Sequence, residues 1–130
     1  MKKITIIAFV LFLSTTLSAQ DDHRVENVKK DFITKELQLT TQEVDAFFPI
    51  YNEYAQKRKD VRRTQREEMR ESGESSVDKM LDKEQDMVDL KKEYLEKFRK
   101  VLPERKVVQL MEAESKFKLM LMQRLKDKRN

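Results

Sequence analysis

Apolar residues recur along most of this chain at spacings of three and four, the period of an amphipathic helix. The first such stretch covers about His23 to Leu37 and puts Val25, Val28 and Phe32 on one face, with Ile33, Thr34 and nearby charges diluting the pattern. The second opens at Leu39 and Thr40, carries Val44, Phe47, Phe48, Tyr51, Tyr54 and Ala55, and continues through Arg58 and Val61 to near Glu71. The third carries Val77, Met80, Leu81, Met87, Leu90, Tyr94, Leu95, Phe98 and Val101. The fourth carries Val107, Leu110, Met111, Glu114, Phe117, Leu121 and Leu125, then a charged tail from about residue 126. Four long helices in one all-α domain are the expected fold class.

Local signals mark where these helices begin and end. Thr40 fits an N-cap whose bond Glu43 can return, a capping box, and Leu39 with Val44 fits the accompanying hydrophobic staple. Pro49 falls about two turns inside the second helix. It cannot donate to Asp45, and its ring crowds that carbonyl. The aromatic spacing continues across it, so a kink is expected rather than a stop. ESGESS, Glu71 to Ser76, holds the single glycine and reads as a loop, and Ser75 with Asp78 reads as a second capping box. Leu102-Pro103-Glu104 marks the next start, with Pro103 suited to the first helical position.

The first 19 residues are set apart. MKKITIIAFVLFLSTTLSA has a short basic head, an apolar run from Ile4 to Leu13 and a small polar tail, the pattern of a cleaved export signal with a cut expected after Ala19. The run is shorter than the roughly 20 residues a membrane span needs. No cysteine follows it for lipid attachment. Residues 20–130 then form the mature domain, placed in the periplasm. Without Lys2 and Lys3, 26 basic residues face 24 acidic ones. That near balance argues against nucleic acid, which favours a concentrated basic face. With no cysteine at all, the domain must hold together by packing.

Catalytic chemistry finds little to use. The single histidine, His23, lies near the mature N-terminus, and the many carboxylates are scattered along solvated helices. No enzyme activity and no cofactor are expected. Met111, Met120 and Met122, with Met80 and Met87, could suggest a soft metal site, but methionines at helical spacing are more often core filler.

Two surface features rise above this background. Lys59, Arg62, Arg63 and Arg66 recur at three- and four-residue spacing and, with Met69 beside them, make a mixed basic and apolar face. Such a face suits capture of anionic or unfolded partners, although a solvated helix face reads the same way. The fourth helix has a second apolar stripe, Val108, Met111, Leu119 and Met122, beyond the one that can pack inside. A helix apolar on two faces needs a second partner: another protomer first, then a helix of its own domain, then a bound chain.

Residues 63 apart also match: Leu39 with Leu102, Val44 with Val107, Phe47 with Leu110, Phe48 with Met111 and Tyr54 with Phe117. A repeat and a coincidence of two amphipathic helices both explain this. LTTQE opening a long helix, FFPIYNEY after it and VLPERKVVQLMEAESKF later resemble the divergent members of the periplasmic LTxxQ family, the Spy and CpxP type of stress chaperones and adaptors. Leu39 and Thr40 match the motif and Glu43 stands at its Gln position. In the second copy Leu102 matches, while Pro103 and Lys106 replace the Thr and the Gln. The resemblance implies a four-helix, cradle-shaped homodimer of kinked antiparallel helices. Its basic concave face would hold unfolded clients without ATP. Relatives instead dock on a signalling partner or sense metal, so a non-enzymatic regulator of an envelope stress or sigma-factor system is the alternative.

Overall fold

The computed structural model describes residues 17–73 and 77–129, with side chains from residue 23 onward. The export segment before residue 17 and the Ser75 capping box lie outside the described residues. Four helices follow in order: α1 (Leu17–Glu36), α2 (Thr41–Ser72), α3 (Val77–Arg99) and α4 (Glu104–Asp127).

Each boundary has a local cause. Gln38 adopts the left-handed conformation at φ 50°. The Gln38 amide donates to the Lys35 carbonyl and the Leu39 amide to that of Thr34, the pattern of a Schellman stop. At Thr40 the capping box forms in both directions, Glu43 N–H to Thr40 Oγ1 and Thr40 N–H to Glu43 Oε2, each at 3.2 Å. Gly73 closes α2 at φ 60°, where a side chain would strain the backbone. α3 ends at Arg99, two residues before the expected Val101. Pro103 is the N-cap of α4 rather than its first helical residue, because its ψ of 146° is extended.

α2 runs unbroken through Pro49. Pro49 and Asp45 are both exposed, so water can reach the carbonyl that loses its helical donor, while Phe47, Phe48 and Tyr51 pack inward. This placement makes an interior proline tolerable.

Contacts between helices fix their directions. Tyr54 stacks on Tyr94 with ring centroids 5.1 Å apart, and Gln65 and Lys83 donate to each other's backbone carbonyls at 3.0 and 2.7 Å, so α2 and α3 are antiparallel. Phe32 against Phe117 at 5.6 Å and Lys106 bonded to the Gln38 carbonyl make α1 and α4 antiparallel too. α2 and α4 run parallel. Glu43 meets Lys106 and Tyr51 meets Glu114, both pairs 63 residues apart. The offset seen in the sequence is therefore the offset at which the two helices lie side by side.

Burial is confined to one end. Every buried residue among those described falls within Ile33–Tyr54 or Tyr94–Phe117. Phe47 touches Phe98 at 5.1 Å, and Tyr94, Phe47, Phe98, Ile33 and Leu37 lose essentially all contact with solvent. This closed end corrects the expected stripe of α1: its buried positions are Ile33 and Leu37, whereas Val25 and Val28 are exposed. The expected core stripe of α3 is corrected likewise, since Val77, Met80 and Leu81 are exposed and only Tyr94 and Phe98 are buried.

Candidate functional site

The other end is open. It comprises the described part of α1 before Ile33, α2 beyond Tyr54, α3 before Tyr94 and α4 beyond Phe117. Apart from Val108 and Met111, every exposed large apolar side chain described lies there: Val25, Val28, Met69, Val77, Met80, Leu81, Val88, Leu119, Met122 and Leu125. α2 lies closely on α3, and α4 on both α1 and α3. α1 and α2 meet largely through long side chains, Lys59 Nζ to Glu26 Oε1 at 2.8 Å and Lys30 Nζ over the Phe48 ring at 5.1 Å.

Where the closed end gives way to the open one, charged groups take up core register. Glu114 of α4 follows Leu110 on the inner face and accepts from the Tyr51 hydroxyl at 2.9 Å and from Arg58 at 3.3 Å. Both ion-pair partners are mostly shielded, with side chains 22% and 18% exposed for Arg58 and Glu114. Lys29 of α1 follows the inner line one turn before Ile33. Its ammonium stands 5.4 Å from the centre of the Tyr51 ring and 5.9 Å from that of Phe117, distances at which a cation is attracted to the ring face. Burial pushes the Lys29 ammonium below the usual lysine range; Glu114 opposes that shift, and Arg58 and Arg62 add to it. Burial, with Glu114 next, pushes the Tyr51 hydroxyl well above the usual tyrosine range. From α3, Lys91 lines a narrow crevice with Glu114, Tyr54 and Met111. Arg58 of α2 thus pairs with the Glu114 carboxylate, Lys29 of α1 feels its charge, and Lys91 of α3 shares a crevice with it.

The sequence-predicted site residues are placed as follows. Lys59, Arg62, Arg63 and Arg66 all lie on exposed α2 surface, with Met69 exposed beyond them. Lys59 holds Glu26, whose carboxyl it keeps below the usual range. Arg63 pairs with Asp60 at 3.5 Å, and Arg66 caps the Arg62 carbonyl. The stripe is thus partly engaged by its own neighbours. Val108, Met111, Leu119 and Met122 form an exposed line on α4. Leu39, Thr40, Glu43 and Leu102 gather at the closed end, where Lys106 Nζ reaches Glu43 Oε2 at 2.6 Å and the Gln38 carbonyl at 3.0 Å.

Lys29, Arg58 and Lys91 were not among the predicted site residues, and Glu114 was read only as part of an apolar stripe. Their signal was present: each is a charged residue standing where the helical period calls for an apolar one. Near the α2–α3 turn a space of about 460 Å³ is lined by Glu68, Glu71, Ser72, Lys79, Asp82, Lys83 and Asp86, so the far tip has an acidic lining. None of the described helices is long and apolar enough to cross a membrane. No protein-family model, no curated protein and no solved structure matches the chain.

Proposed function

We propose that this is a protein-binding chaperone of the periplasm that holds unfolded segments without ATP, and that it does no chemistry. The observation that carries this reading is the division of the molecule into a packed end and an open end. A domain that only needed to fold would have little use for a half in which apolar side chains from all four helices stay in water beside arginines and lysines. Where such side chains join into a patch, they mark an interaction site. Methionines on it, here Met69 and Met80, adapt to partners of varied shape.

The helix starts lend support to a place among the LTxxQ proteins. Two of the three departures from that motif, Glu43 and Lys106, occupy equivalent positions and bond to each other. This ion pair joins the two motif copies. On this reading the line Val108, Met111, Leu119 and Met122 is the dimer seam, which leaves the apolar groups of α1, α2 and α3 for clients.

Light scattering of a model protein aggregating in the presence of the mature chain tests the proposal. Suppression at near-stoichiometric amounts, with no nucleotide added, is expected. Undiminished aggregation at a several-fold excess of the chain would overturn it.

A further inference from the structure

We propose that the junction between the two ends, where Lys29 and Arg58 stand beside Glu114, binds a carboxylate of a partner polypeptide. Charge and geometry both point there. Glu114 is the one carboxylate seated among these cations, and its Oε1 already serves Tyr51 and Arg58. Glu26, one turn before Lys29 on α1, is taken up by Lys59. The Lys29 ammonium has no carboxylate within ion-pair distance among the described residues; its described neighbours are the two aromatic faces. A half-buried ammonium facing rings keeps donors that ring faces satisfy poorly, and a cation out of water without a paired anion is costly.

A second carboxylate would lower that cost. Its oxygens could take the Lys29 donors and face the Arg62 side, while Glu114 stays on Arg58 and Tyr51. A polypeptide suits this place because the open half beside it carries exposed apolar side chains such as Val25, one turn before Lys29 on α1. A chain with an acidic residue between apolar ones would meet both. This inference goes beyond the chaperone reading and does not rest on it, since its test reads binding of a small peptide and needs no aggregating client.

The mature chain is titrated with an end-blocked peptide, Gly-Leu-Glu-Leu-Gly, and with its Gln counterpart, following backbone amide shifts by NMR. The Glu peptide is expected to bind about tenfold more tightly, the increment of hydrogen bonds to a charged group, with the largest shifts around Lys29, Arg58 and Glu114. Lys29→Met keeps the packing on both rings and removes the charge. It is expected to abolish the preference for Glu while leaving the melting temperature equal or higher. Lys29→Arg is expected to keep the preference. Arg62→Gln, on exposed surface, should weaken the preference at unchanged stability. Equal binding of the two peptides, an undiminished preference in Lys29→Met, or a melting temperature lowered in Lys29→Met without loss of preference would each overturn the site. Inorganic phosphate displacing the peptide more effectively than acetate would overturn the choice of carboxylate.

Discussion

Lys106 shows how one residue joins three parts of the closed end. The residue is almost wholly buried, yet its ammonium reaches the carboxylate that caps α2 and the carbonyl of the left-handed turn that ends α1. The two partners are not equivalent. Without Glu43, Lys106 keeps only a neutral carbonyl in a buried place, which is a costly position for a cation. Without Lys106, Glu43 is still partly exposed and can be hydrated, and it still caps Thr40. Glu43→Ala is therefore expected to lower the melting temperature more than Lys106→Met does, and the double variant should be more stable than Glu43→Ala alone. Thermal melts of the three variants followed by circular dichroism check this; additive losses would refute the coupling. The same pair sets a pH dependence. The Lys106 hydrogen bond, followed by the Thr40 amide, holds the Glu43 carboxyl below the usual carboxylate range. A carboxyl lowered in the folded state contributes stability above its ordinary range and loses it as pH falls through the native value. Glu43→Gln should accordingly narrow the gap between melting temperatures at neutral and acid pH.

At the scale of the element, α2 poses the sharpest contrast between the two ends. Phe47 is fully enclosed, and its replacement by Ala should cost about 3–5 kcal/mol. Met69 on the open half of α2 is exposed, and Met69→Ala should stay within about 0.5 kcal/mol. Urea unfolding of both variants measures the difference. Pro49 stands between these extremes, inside a helix but on its wet side. Pro49→Ala restores a donor for Asp45 and should stabilise α2 by up to about 3 kcal/mol, the helix-interior cost of proline. We propose that it also straightens α2 and weakens client capture, so that affinity and stability move in opposite directions.

Helix number, the Thr40 box and the inner aromatics of α2 were legible because capping chemistry and the helical period are local. The extent of burial was not. Val25 and Val28 keep the period as faithfully as Ile33 and Leu37, but whether an amphipathic face is covered depends on what stands opposite, and beyond Phe117 the helices supply little buried surface. The site at Lys29 and Glu114 was missed for the same reason: two charges in core register signify something only once their helices are known to meet.

For the whole molecule, the parallel placement of α2 and α4 makes the two motif copies neighbours at the closed end and leaves the α4 line from Val108 to Met122 facing outward. If that line is the seam between protomers, sedimentation at tens of micromolar should show a dimer, and Met122→Glu should shift it to monomer with little change in helix content. A wild-type monomer at that concentration would remove the seam.

The division of burial also has a mechanical consequence. With the closed end acting as a clamp, α2 and α3, tied to each other by Gln65 and Lys83, form one arm fixed at that end. Beyond Tyr54, α2 extends about 27 Å at 1.5 Å per residue. Rigid helices on that lever arm turn a rotation of about 10° at the clamp into a tip displacement of about 5 Å, roughly one helical pitch. The span between α1 and α2, bridged largely by side chains such as Lys59 and Glu26, could therefore widen without any aromatic ring at the clamp changing its neighbours. A chaperone of the proposed kind could thus adjust to thin and thick polypeptides while the part that keeps the molecule folded stays as it is.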